Sequence, residues 1–146
     1  MRFVAESLNE FESVSSKKGI KHDIEKETVE NKDFRNVLYT GEHIQLVLMT
    51  LKPGEDIGME VHDVDQFFRF EKGTGKVIVN DTEYDVTDGD SVIIPSGSEH
   101  NVINTGGNTL NMYTLYAPPH HEVGTIHATK EEAEMADEEW KGRTTE

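Results

Sequence analysis

Cysteine is absent from the 146 residues. Disulfides and thiolate metal sites are therefore excluded, and the composition suits a reducing compartment. Long hydrophobic runs are absent too. The longest apolar stretch, Ile44 to Leu51, is broken by Gln45 and Thr50 and is far too short to span a bilayer. The N-terminal segment MRFVAESLNEF carries no apolar run of signal-peptide length. We therefore expect a cytoplasmic protein. Basic residues are few, 14 against 29 acidic ones, for a formal net charge of −15. Such a surface repels phosphate backbones and anionic lipids, so neither nucleic acid nor membrane is an expected partner. A small anionic ligand is not excluded, because a few nearby cations outweigh a distant field. Arg35, Lys52, Arg69 and Lys76 flank the motifs described below. The ordinary fate of such side chains is solvation, and they are read that way here.

The length fits one domain with a full core. Short runs of β-formers, separated by Gly, Asn and Asp, predict strands along most of the chain. They lie near Phe34–Tyr39, Ile44–Lys52, Met59–Asp63, Gln66–Glu71, Gly75–Asn80, Glu83–Val86, Ser91–Ile94, Asn101–Asn104 and Leu110–Tyr116. Asn80–Asp81 reads as a hairpin turn. No long helix separates these runs, so a parallel α/β sheet is unsupported and an all-β antiparallel sandwich or barrel is expected. Residues 1–33 are polar and charge-rich, with a short helix possible near Val4–Glu12 and a flexible stretch near Ser13–Lys18. Residues 128–146 read as a helical tail. Thr129 and Glu132 form a capping box, and the helix is expected to reach about Trp140 and to pack peripherally.

Two spaced motifs stand inside the predicted barrel. The first places Gly54, Glu60, His62, Gln66 and Gly73; the second places Gly89, Pro95, Gly97, His100 and Asn104. Glu60, His62, Gln66 and His100 each offer an oxygen or an imidazole nitrogen to a divalent cation. Residues two apart on a strand share a face, so Glu60 and His62 project together. Gln66 shares that face with Phe68 and Phe70 if the strand continues, which predicts an aromatic floor. A hairpin then brings His100 across.

These motifs resemble those of the cupin superfamily over roughly residues 34–127. The usual cupin pattern has His at Glu60, His at His62, Glu at Gln66 and His at His100, so this chain keeps one carboxylate but moves it. The resemblance implies a cupin-type double-stranded β-helix, a jelly-roll barrel, and a bound divalent transition metal such as Zn, Mn, Fe or Ni. The phrase IGMEVHDVDQFFRFEKGTGK is similar to small single-domain cupins of the phosphomannose-isomerase-like group. Small cupins often dimerise by strand exchange or sheet packing, which implies a homodimer in which residues 34–48 supply a strand.

After the last core strand comes Pro118–Pro119–His120–His121. His120, His121 and Glu99 are candidate acid–base residues. On an extended chain neighbouring residues face opposite ways, so at most one of the two histidines is expected at the pocket. Three functions suit the whole pattern. One is a metal-dependent, isomerase-like enzyme on a small sugar or sugar phosphate. Another is an Fe-, Mn- or Ni-dependent dioxygenase. The last is a metal-containing small-molecule-binding module without turnover.

Overall fold

The computed structural model describes residues 14–146, so the possible helix near Val4–Glu12 lies outside the described residues. Ten strands form two antiparallel sheets. In chain order they are β1 (Arg35–Thr40), β2 (Gln45–Leu51), β3 (Glu60–Val61), β4 (Asp65–Lys72) and β5 (Thr74–Val79). They continue as β6 (Thr82–Thr87), β7 (Ser91–Ile94), β8 (Glu99–Asn104), β9 (Leu110–Ala117) and β10 (Ile126–His127). The six-stranded sheet runs β10-β1-β2-β9-β4-β7 and the four-stranded sheet runs β3-β8-β5-β6. All nine predicted strands are present; the two-residue β10 is the addition.

Alternation explains why the sheets close on each other. Along β4, Gln66, Phe68 and Phe70 are buried at 3%, 1% and 0% exposure, while their neighbours face outward. Along β9, Leu110, Met112, Thr114 and Tyr116 point inward in the same rhythm. Val47, Met49 and Leu51 of β2 meet Val77 and Val102 from the opposite sheet in one apolar cluster. Each large apolar side chain buried this way contributes about 1.5–3 kcal/mol. Phe68 and Phe70 stack at 6.2 Å and are sealed inside that core.

The motif glycines and asparagine have structural duties. Gly73 has φ +98°, and a Cβ there would lie 2.5 Å from the Thr109 carbonyl oxygen. Only glycine fits so close an approach. Asn104 donates to the Leu51 and Asn108 carbonyls and accepts from the Gly106 N–H, so it pins the β8–β9 turn. The β5–β6 hairpin closes through Asn80–Asp81, with Asn80 in the left-handed region at φ 51°. That matches the turn read from sequence.

Two departures appear at the ends of the chain. The stretch read as a polar extension contains helix α1 (Ile24–Glu30), capped by Asp23. Thr28 is fully buried, and Asn111 Nδ2 donates to the carbonyls of Thr28 and Asn31. Helix α2 (Lys130–Met135) starts where expected, with the Thr129 hydroxyl accepting from Glu132 N–H at 3.1 Å. It ends at Met135 rather than near Trp140. Met135 is 87% exposed, so no apolar stripe rewards another turn. The chain instead leaves the helix extended and binds back to the barrel. Trp140 N–H donates to the His120 carbonyl, and Thr145 N–H donates to the Thr40 carbonyl. Among the described residues no helix is long and apolar enough to cross a membrane.

Candidate metal centre

The turn of the second motif holds the first motif in place. Gly97 N–H donates to the His62 carbonyl at 2.8 Å. Glu60 of β3 lies directly opposite His100 of β8. Glu60 Oε2 stands 3.4 Å from His62 Nε2, so the two do project together. Val61 between them is exposed. The His62 and His100 rings meet edge to face at 5.0 Å. Gln66 enters from β4, buried at 3% exposure. Its Nε2 donates to Thr114 Oγ1 at 3.0 Å.

Protonation states favour donation to a cation. His100 Nδ1 lies 2.9 Å from the Ser98 carbonyl, which can only accept. That nitrogen therefore carries a proton, which leaves Nε2 as the ring position that can face a cation. Burial pushes His62 down to about 3, helped by His120 and His100, so its ring is neutral. Burial raises Glu60, with Arg35 and His100 opposing. The amide oxygen of Gln66 is buried with no hydrogen-bond partner among the described residues. An unpaired buried carbonyl oxygen is costly, and a cation would satisfy it. By donor chemistry the four residues fit a divalent transition ion. Among the described residues no group of three or more His, Cys, Asp or Glu is gathered tightly enough to be a formed cation cage.

The structure corrects the reading of the catalytic candidates. Glu99 is exposed on β8, because it alternates with buried His100 and faces away from the site. His120 and His121 are both at the site, contrary to the expectation for an extended pair. The His120 ring lies 4.1 Å from that of His62, and the His121 ring lies 5.1 Å from Tyr116. Their backbone is not a strand. Gln45, fully buried, accepts from both histidine N–H groups and donates to the His121 carbonyl. That clamp bends the segment so that both rings turn inward.

Sequence reasoning missed Tyr116 and Glu138. The Tyr116 hydroxyl lies 3.2 Å from His121 Nε2, and His121 Nδ1 lies 2.6 Å from Glu138 Oε1. Glu138 Oε2 also accepts from Glu122 N–H at 2.8 Å. Burial alone would raise Glu138, but these two donors hold it at about 2. Burial pushes His121 down to about 4 against the pull of Glu138. At neutral pH the dyad is thus a carboxylate and a neutral imidazole, with Nδ1–H donated and Nε2 accepting from the tyrosine. Burial raises the Tyr116 hydroxyl, so it stays protonated. The inward rhythm of β9 was the available signal for Tyr116. Nothing local marks Glu138.

A cavity of about 260 Å³ opens beside this place, bounded in part by Arg35, Glu60, His120, His121 and Glu138; of the four candidate ligands only Glu60 lines it. Phe68 and Phe70 share the inner face with Gln66 but do not line the cavity, so the expected aromatic floor is sealed core; the walls are mostly polar, with Phe34 and Ile57 among them. Of the four flanking cations, Lys52 is exposed, Arg69 and Lys76 pair with Glu71 and Glu83, and Arg35 is buried. The reading of Arg35 as a solvated side chain is therefore corrected. A larger cavity of about 540 Å³ lies elsewhere, beside α1 and Thr129, and holds none of the four candidate ligands.

The Cupin domain family matches residues 47–116, which span both motifs. The sequence is 44% identical over 122 residues to the uncharacterized protein YrkC of Bacillus subtilis. It is 43% identical over 108 residues to the uncharacterized protein L612 of Acanthamoeba polyphaga mimivirus. These alignments cover 79% and 70% of this chain, and 66% and 68% of the respective relatives. A crystal structure of BH2720 from Bacillus halodurans superimposes with a TM-score of 0.81 at 42% identity. It covers 83% of this chain and 97% of that one. The chain belongs to the cupin superfamily. An RmlC-like cupin of Methanocaldococcus jannaschii, described as a double-stranded β-helix, shares the fold at 18% identity and a TM-score of 0.58. It covers 72% of this cupin and 94% of its own chain.

Proposed function

We propose that this cupin binds a divalent transition metal and performs isomerase-like chemistry on a small sugar or sugar phosphate. One observation carries the reading: the Glu60–His62–His100–Gln66 donor set sits beside a hydrogen-bonded Tyr116–His121–Glu138 chain. His62 and His100 would hold the ion, with Glu60 and the unpaired amide oxygen of Gln66 completing the set. The ion, when bound, supplies Lewis acidity that polarises a sugar carbonyl. Glu138 fixes the His121 tautomer, and His121 in turn orients the Tyr116 hydroxyl. That hydroxyl's one proton is committed to His121 Nε2, and the chain holds the His121 ring in place beside the cavity. His120, which burial holds below the ordinary imidazole range with Glu138 opposing, is neutral and able to take a proton. The polar walls favour a hydroxylated substrate over an apolar one.

The test is to strip the protein with EDTA and reload it separately with Zn(II) and Fe(II). Proton exchange next to the carbonyl of aldose and ketose phosphates is then followed by NMR in deuterated water. Exchange with the zinc protein is expected, since zinc has no redox chemistry of its own. Turnover confined to Fe(II), with oxygen uptake, would select a dioxygenase. Tight sugar binding without exchange under either metal would select a binding module.

A further inference from the structure

Arg35 is 7% exposed. Arg69 and Arg143 each hold a glutamate. Arg35 makes no ion pair among the described residues, although the chain has 29 acidic residues. Its Nη1 donates to His127 Nδ1 at 3.2 Å. A guanidinium can only donate, so that nitrogen accepts and the His127 ring is no counter-charge. Arg35 Nε is buried with no partner among the described residues. The Phe34 ring lies 5.3 Å away, a contact worth about 0.5–2 kcal/mol. Removing a cation from water costs several kcal/mol unless an anion meets it. The fold thus carries a buried, planar, two-pronged donor that touches no carboxylate, although Glu60 and Glu138 lie near enough to feel its charge.

That donor lines the cavity shared with Glu60, His120, His121 and Glu138. The Glu138 oxygens are occupied by His121 and the Glu122 N–H. Lys130 also lines the cavity but is tied to Asp56 at 2.8 Å. We propose that Arg35 receives the anionic group, a carboxylate or a phosphate, of the ligand that enters this pocket. A guanidinium matches the geometry of either group through paired N–H donors. The inference rests on the pocket being a ligand site, and not on the metal.

A three-carbon series isolates the anion. Metal-free protein is titrated calorimetrically with glycerol, glycerate and glycerol 3-phosphate at low salt. At least one anion is expected to bind tenfold or more tightly than glycerol, and the tighter of the two identifies the class. Arg35→Met should bring both anions to the level of glycerol. Arg35→Lys should keep part of the preference, and Arg69→Met all of it. Anions no tighter than glycerol on the wild type overturn the proposal even if an Arg35 variant fails to fold. So does an Arg35→Met protein that keeps the preference. Metal binding is measured separately, on aliquots of each protein reloaded with Zn(II). Lost metal binding with an intact anion preference would sink the metal reading alone, and the reverse would sink the Arg35 proposal alone.

Discussion

Gln66 differs from a glutamate by one group, and that group sets the charge beneath the site. Its amide satisfies Thr114 with the nitrogen and leaves the oxygen unpaired. A carboxylate there would be buried at a position only 3% exposed. Without a cation it would cost the fold several kcal/mol, roughly, or take up a proton. With one, it adds an anionic ligand. Gln66→Glu should therefore melt lower than wild type in EDTA and gain more from added Zn(II) or Mn(II). Thermal melts with and without metal check this. Equal metal-induced shifts in both proteins would mean that residue 66 does not touch the ion.

Among the elements, the strands were legible and the tail was not. Alternation along β4 and β9 and turn residues such as Asn80 act locally, so the sequence displays them. The tail beyond α2 has no period to read. Its place is set by single bonds to distant residues, Glu138 to His121 and Trp140 to the His120 carbonyl. α1 escaped notice because its one buried residue is a threonine, held through Asn111 far along the chain.

The tail dyad has a pH signature. Glu138 and His121 both have folded values below their ordinary ones, so the unfolded chain binds more protons. Stability is full above about pH 6.5. It falls first as His121 is forced neutral, down to about pH 4, and then as Glu138 resists protonation, down to about pH 2. Glu138→Gln should cost about 1–3 kcal/mol at pH 7. It should also flatten the decline below about pH 4.5, where the free carboxyl titrates. Urea midpoints at several pH values, taken in EDTA, measure both. An unchanged profile would mean that the tail does not bear on the barrel.

At the scale of the whole molecule, the motif spacing located the four ligand candidates before any fold was known. Cupin strands bring fixed sequence positions to one face, and β3 opposite β8 does so for Glu60 and His100. The residues it did not reveal, Arg35, Gln45, Tyr116 and Glu138, act through partners 5 to 92 positions away. For Arg35 and Glu138 that pairing is long-range and leaves no local pattern; for Tyr116 only the inward rhythm of β9 was there to read. The acidic surface stays consistent with a small ligand, since the cavity places a buried arginine where the global field would discourage an anion.

The claim beneath all of this is that the two motifs make one metal site. Elemental analysis of protein as purified, wild type beside His62→Ala and His100→Ala, tests it most directly. Two imidazoles favour transition ions over magnesium or calcium. The wild type should hold about one divalent transition metal per chain, and each variant should lose most of it while keeping its β-sheet circular dichroism. Variants that stay folded and retain the wild-type metal content and affinity would contradict the account.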